Sequence, residues 1–532
     1  MIIDFRKSDT EQFSDYDVCI IGAGAAGITV ARSLSRDGFR VALLESGGTD
    51  YESDVQQLAQ GSSSGYPYYD LVDSRLRFFG GTTAIWGGRC ALFDEVDFIK
   101  RDWLPYSGWP FERSTLMPYY RAAQSMLDLE PLELGSNTWA DHNLAAPPFD
   151  QGLIDTSFWQ FDGVADRFVM PMAKDLLESE NVCIFLHATV TDIVLNESGD
   201  RANRVEIADT VGKRAQLQAG TFVLAAGGLE NPRLLLNSRG VQSTGIGNQH
   251  DLVGRFFMEH AHARGGRLVT AEPWRTIKIL PRAYRHRGER YASVARPGAR
   301  LQDEEHILNT SFTISARRRS DQKQALSTRA YQSLRHELNP TSGNRRLWQF
   351  QRRIVARAAQ HVGQYLRWMV VKSGMQDLYA VIRAEQAPNP NSRVTLVDEK
   401  DALGMQKINL DWQFMDIDKR TVSVLMQTLD SEMKRLGLGH LELAPWLKDD
   451  SAPWETDELI SNHAIAGYHH MGTTRMSSDP RTGVVDEHCK IHGVDNIYVA
   501  GSSVFPTSSW ANPTLTILAL CLKLADHLKK NC

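Results

Sequence analysis

The sequence is poor in cysteine. Six residues (Cys19, Cys90, Cys183, Cys489, Cys521 and Cys532) are scattered over 532 positions with no CxxC pair, a spacing that provides neither a disulfide framework nor a zinc ligand set. Long apolar runs are also missing. Leu515–Leu522 ends at Lys523, well short of the roughly 20 residues that span a bilayer. The opening MIIDFRKSDTEQF has no apolar core or small-residue cleavage site, so no signal peptide is expected. Charge of one sign is scarce overall, the net being −5, and this gives no global reason to expect nucleic-acid binding. With 42% hydrophobic and 23% charged residues the composition is that of a globular chain. The expectation is a soluble, cytoplasmic protein of two or more domains, with no transmembrane segment and no metal.

The first chemistry-bearing segment lies near the N-terminus. Asp17–Gly22 reads DVCIIG, a buried-strand texture, and leads into the turn Gly22-Ala23-Gly24-Ala25-Ala26-Gly27 and a helical segment. A second apolar run, RVALLE, ends at Glu45. Gly22 permits the tight turn, Gly24 lets the backbone approach a pyrophosphate, and Gly27 lets helix and strand pack closely. The helix start offers unpaired N–H groups to phosphate, and Glu45 is placed to accept from a ribose hydroxyl. This unit predicts a dinucleotide but leaves FAD and NAD open.

Further motifs distinguish them. They are RFFGGTTAIWGGRC at 77–90, GYHHMGTTRM at 467–476 and VAGSSVFPTSSWANPTLTILAL at 499–520. Together with GAGAAG, this set resembles the glucose–methanol–choline (GMC) family of FAD-dependent oxidoreductases. The resemblance implies an α/β fold: a Rossmann-like FAD domain built from discontinuous segments (1–250 and 455–532), and a substrate domain (251–454) with an antiparallel sheet backed by helices. Parts of 100–165 are open to the substrate side. It implies cofactor contacts at Gly22, Gly24, Ala26, Gly27 and Glu45, at Gly81, Thr82 and Thr83, at Val190 beside the adenine, and at Gly501, Ser502, Asn512 and Thr514. Some sugar-oxidising relatives tether the flavin through a histidine in the 80s loop, where this chain has Ala84-Ile85-Trp86. Non-covalent FAD is expected.

Oxidising an alcohol removes a hydroxyl proton and a carbon-bound hydride, and histidine is suited to take the proton near neutral pH. The family pattern HxxGT falls on His469-His470-Met471-Gly472-Thr473, which assigns the base to His469, with His470 as second choice. Its downstream partner matches Asn512, an amide able to orient the hydroxyl; Asn512-Pro513 also reads as an ordinary helix start.

In the middle of the chain, EQAPNPNSRVTL resembles the family's return strand, and Glu385 and Gln386 are candidate substrate contacts or plain strand-end residues. The stretch 317–372 carries thirteen lysines and arginines against two acids. Leu347, Phe350, Ile354, Ala358, Val362, Tyr365 and Met369 recur there at three- or four-residue spacing, which predicts a basic helical insertion packed on the sheet with its charged face in solvent. The expected activity is FAD-dependent oxidation of an alcohol, most simply a secondary hydroxyl of a sugar or glycoside. The expected partners are O2 or another redox acceptor, with a small or electron-transfer subunit possible. A non-sugar alcohol, lyase-like chemistry on the same fold, a nicotinamide enzyme and a non-enzymatic binding protein stay open as alternatives.

Overall fold

Val18, Cys19, Ile20 and Ile21 are buried because their strand, Gln12–Ile21, lies inside a mostly parallel sheet whose two faces are both covered. The computed structural model describes residues 1–131, 138–164, 166–281, 284–319, 338–456 and 465–531. In this first sheet Ile2–Asp4, Val182–Leu186, Val41–Leu44, Gln12–Ile21 and Arg214–Leu224 lie side by side and parallel. Ile497–Val499, from the far end of the chain, joins beside Arg214–Leu224. Thr189–Leu195 and Ala202–Ala208 extend the sheet by antiparallel pairing. Helix Ala25–Arg36 follows the glycine turn and packs against the C-terminal helix Thr514–Asn531, so the two ends of the sequence meet at one ligand-binding edge.

The second sheet is antiparallel throughout. Its order is His440–Leu443, His262–Val269, Asp377–Arg383, Ser311–Arg317, Glu289–Pro297, Ile154–Phe161 and Arg89–Cys90, with Tyr284–His286 folded back on Glu289–Pro297. Helix Asp416–Arg435 lies against it and buries Val422, Leu425, Met426 and Leu429. A small third sheet joins Arg393–Lys400, Gln406–Trp412 and Gly61–Gly65. A Rossmann-like cofactor unit and an antiparallel substrate unit thus share one chain. Among the described residues no helix is long and apolar enough to cross a membrane.

Two local features differ from the sequence reading. The run 184–196 reads as one strand, but His187 adopts a positive φ of 56° and divides it into Val182–Leu186 and Thr189–Leu195. In the expected insertion at 317–372, Arg317 ends a sheet strand, residues 320–337 lie outside the described residues, and the helix runs from Ser342 to Lys372. Its orientation is the reverse of the expected one. Leu347, Phe350 and Ile354 are exposed by 51%, 62% and 52%, whereas Arg345 is buried in an ion pair with Asp50 at 2.7 Å. Arg352 donates to the Gly87 carbonyl at 2.7 Å. Guanidinium hydrogen bonds to the 50s and 80s loops, which a spacing pattern does not reveal, turn the polar side of this helix inward.

Candidate active site

The glycine turn does what its spacing requires. Gly22 has φ 106°, and a Cβ there would lie 2.7 Å from the Ala225 carbonyl oxygen. A Cβ on Gly27 would stand 2.0 Å from the Gly22 carbonyl oxygen. Gly27 therefore serves helix–strand packing and does not line the cavity. At Gly24 an added Cβ would meet nothing within 4 Å, because that face opens into a cavity of about 710 Å³. The remaining expected cofactor contacts, Gly22, Gly24, Ala26, Glu45, Gly81, Thr82, Thr83, Val190, Gly501, Ser502, Asn512 and Thr514, all line this cavity, as does His469. The buried Glu45 carboxylate accepts from the N–H groups of Ala23 and Gly47, both at 3.0 Å. Burial raises its pKa, and its remaining lone pairs suit a ligand hydroxyl. An open glycine face at a helix start, a buried acid at the next strand end and a cavity of this size fit the ADP half of FAD.

At the other end of the cavity two histidines define their own proton positions. His260 Nε2 lies 3.0 Å from the Ser508 carbonyl oxygen. A carbonyl only accepts, so this nitrogen carries the proton. Burial lowers the pKa of His260, and in the neutral ring Nδ1 is an acceptor. It faces His469 Nδ1 at 2.8 Å, which must then donate. That leaves His469 Nε2 unprotonated on the cavity side, with Asn512 Nδ2 at 3.3 Å. Burial first, with the Arg89 guanidinium among the smaller causes, holds His469 well below the usual imidazole range. His470 is used differently. Its Nε2 lies 3.0 Å from the Tyr68 hydroxyl, which itself donates to Glu259 at 2.7 Å, and burial pulls its pKa down to about 3.

Glu259 anchors both histidine segments. Its carboxylate accepts the His469 N–H on both oxygens at 2.8 Å and the His260 N–H at 2.8 Å, and burial pushes its pKa up to about 7. Glu259, His260 and Tyr68 carry no role in the sequence reading. The available signal was the Glu259-His260 pair in DLVGRFFMEH, an acid and a histidine next to each other ahead of a strand.

Glu385 and Gln386 are corrected. Neither lines the cavity. Glu385 is fully buried and binds Arg101 through two bonds of 3.0 and 2.6 Å, while also accepting the Asn309 N–H. Gln386 Oε1 accepts from the Glu259 N–H and from Trp412 Nε1, each at 3.0 Å, and its Nε2 donates to the Gln413 carbonyl at 2.9 Å. With their hydrogen-bonding groups taken up inside the protein, both hold the return strand in place.

Comparison with known proteins agrees with this geometry. Residues 17–244 match the model for FAD dependent oxidoreductases, and residues 388–521 match that for GMC oxidoreductases. The chain is 25% identical to the fructose dehydrogenase large subunit of Gluconobacter japonicus, over 96% of this chain and 97% of that protein. It is 23% identical to paromamine 6'-oxidase of Streptomyces fradiae, over 96% and 90%. Among solved structures, pyridoxine 4-oxidase from Mesorbium loti has the same fold at a TM-score of 0.56 and 18% identity, covering 97% of this chain and all of that one. From its two matched segments, its fold and its full-length relatives, the chain belongs to the GMC family of FAD-dependent oxidoreductases, enzymes that act on CH–OH groups.

Proposed function

We propose that the protein oxidises a secondary hydroxyl of a sugar or glycoside to the keto product, with His469 as the base and Asn512 orienting the hydroxyl. The observation that carries this reading is the His260–His469 contact at 2.8 Å, which leaves His469 Nε2 as an acceptor toward the cavity. Bound FAD supplies the hydride acceptor. The Nε2 lone pair of His469 takes the hydroxyl proton, and proton removal by a positioned base raises rates by about 10²–10⁴-fold. The Asn512 amide donates to the developing alkoxide. His470 is a weaker candidate because its ring is engaged with Tyr68.

The sugar reading is supported by relatives whose names give fructose and paromamine as substrates. The same reading makes FAD non-covalent, since Ala84-Ile85-Trp86 offers no imidazole for attachment. It assigns 1–250 and 455–532 to the cofactor unit and 251–454 to the substrate unit, and it allows O2 or a partner subunit as final electron acceptor. Anaerobic addition of monosaccharides, glycosides, polyols and simple alcohols to the purified yellow protein tests it. Bleaching of the visible flavin band by a sugar class supports the proposal, and readmitting air separates oxidase from dehydrogenase. Bleaching by simple alcohols alone would overturn the sugar assignment, and no bleaching by any alcohol would favour non-redox chemistry.

A further inference from the structure

The Ser342–Lys372 helix turns an apolar side outward. Leu347, Phe350, Ile354, Val355, Leu366 and Met369 are all exposed, and at 3.6 residues per turn they fall within an arc of about 160°. From Leu347 to Met369 the stripe runs about 33 Å at 1.5 Å per residue. The inner side is engaged with the protein: Arg345 pairs with Asp50, Trp348 is buried, and Arg352 donates to the Gly87 carbonyl. Single exposed apolar side chains are ordinary, whereas a contiguous stripe marks a surface that meets something.

Charge and aromatic placement indicate what it meets. The helix carries six arginines and one lysine, with no aspartate or glutamate. Arg346 and Arg353 are exposed along one edge of the stripe, and the exposed Lys372 stands at its C-terminal end. A short helix, Pro273–Ile279, joins it there. Trp274 meets Trp368 edge to face with centroids 6.2 Å apart, and Tyr365 lies 5.4 Å from Trp368. Lys278 Nζ is 4.6 Å from the Trp274 centroid and Lys372 Nζ is 4.8 Å from that of Trp368. Glu272, the acid on this edge, is paired with Arg275 at 3.4 Å. Aliphatic residues edged by cations, with tryptophan, tyrosine and lysine at one end, suit a helix lying in the headgroup boundary of a bilayer rich in anionic lipid. A second copy of the same helix would instead set cations against cations. Among the described residues no helix can cross a membrane, so the contact is with one surface only. Trp348 and Arg352 also line the large cavity, which places this helix between the lipid and the cavity.

We propose that the Ser342–Lys372 helix, together with Trp274, docks the protein on an anionic lipid surface, with the apolar stripe at the acyl boundary and Arg346, Arg353 and Lys372 among the phosphate headgroups. The proposal concerns binding and does not depend on which alcohol is oxidised. The test is flotation of the full-length, FAD-loaded protein with vesicles of phosphatidylcholine alone and of phosphatidylcholine mixed with phosphatidylglycerol. The anionic vesicles should bind about a hundredfold more tightly, each of the three surface cations contributing about fivefold, and added salt should shrink the difference. Phe350→Ser and Ile354→Ser should each weaken that binding about tenfold, with FAD content and melting temperature unchanged because both side chains are exposed. Arg346→Glu combined with Arg353→Glu should abolish the preference for anionic vesicles, and Val211→Ser, an exposed apolar residue outside these two helices, should change nothing. Failure to float with anionic vesicles would overturn the proposal, as would Ser variants that float as well as the parent. Equal binding to poly-glutamate beads with no effect of the Ser substitutions would mean a surface for acidic proteins. A dimer in light scattering that Phe350→Ser dissociates, without lipid binding, would assign the stripe to a second copy of the chain.

Discussion

His260 and His469 meet Nδ1 to Nδ1 at 2.8 Å, and the Ser508 carbonyl 3.0 Å from the far nitrogen of His260 fixes the direction of the hydrogen bond between them. One backbone oxygen thereby sets the tautomer of a catalytic candidate two rings away. His469→Ala should keep its fold and FAD but reduce the rate of flavin reduction by about 10²–10⁴-fold. Rapid anaerobic mixing with a reducing sugar or alcohol checks this, and near-normal reduction would move the role to His470.

His260 acts through His469, and its effect is readable in a pH profile. Burial is the first cause of the lowered His469 pKa, and the neutral His260 ring closes the site on the Nδ1 side. His260→Ala removes part of that enclosure and opens the site to water, so the pKa should rise and the acid limb of kcat/KM should move to higher pH. A slower enzyme with an unmoved profile would mean that His260 only fills space.

The wild-type profile follows from the same shift. His469 is held well below the ordinary imidazole range, so the base is already deprotonated at neutral pH. Activity should stay flat as pH falls from 8 through about 6.5, the usual histidine value, and decline only below it. Burial also ties this group to stability. Below the unfolded-state pKa the unfolded chain takes up a proton that buried His469 does not, so its contribution favours folding above that pH and is lost as pH falls toward the folded value. An acid limb centred on the ordinary histidine value would contradict the burial seen here.

The cofactor half was legible because backbone geometry demands particular residues there. Gly22, with its positive φ, and Gly27, with no room for a Cβ, can be read from spacing alone. His469 and Asn512 came from motif resemblance, and the structure brings them within 3.3 Å. Glu259 and His260 escaped because their partners lie some two hundred positions away, at His469 and Ser508, a pairing that local pattern does not encode. Glu385 and Gln386 were misplaced for the opposite reason. They were placed at the start of the return strand, yet they lie in the irregular segment between Asp377–Arg383 and Arg393–Lys400, where no period tells which way a side chain points, and theirs meet Arg101, Trp412 and Gln413. The Ser342–Lys372 helix shows that periodicity reports an apolar stripe without saying which neighbour it meets.

The structural role of Glu385 gives a stability prediction. Its pair with Arg101 is almost wholly enclosed, the side chains being 0% and 1% exposed. Arg101→Met would leave the Glu385 carboxylate buried without its cation, and breaking such a pair from one side costs about 3–5 kcal/mol. Chemical unfolding should show that loss with the flavin site still formed in the folded fraction. A large change in substrate KM at unchanged stability would return Glu385 to the substrate pocket.

Glu45 links cofactor retention to fold more directly. Its carboxylate satisfies the Ala23 and Gly47 amides, both at 3.0 Å, and these amides hold the glycine turn in register with the next strand. Glu45→Ala removes the acceptor for a ligand hydroxyl and orphans two N–H groups, each worth about 1–3 kcal/mol when buried and unpaired. FAD affinity should fall by about tenfold or more, seen as loss of yellow colour on extended dialysis, and added FAD should restore it. Wild-type protein precipitated with acid should leave its flavin in the supernatant, because Ala84-Ile85-Trp86 provides no imidazole for a covalent bond at that loop. A yellow pellet would instead require another attachment residue on the cavity wall. In that case Glu45→Ala would keep its colour and show only the stability loss.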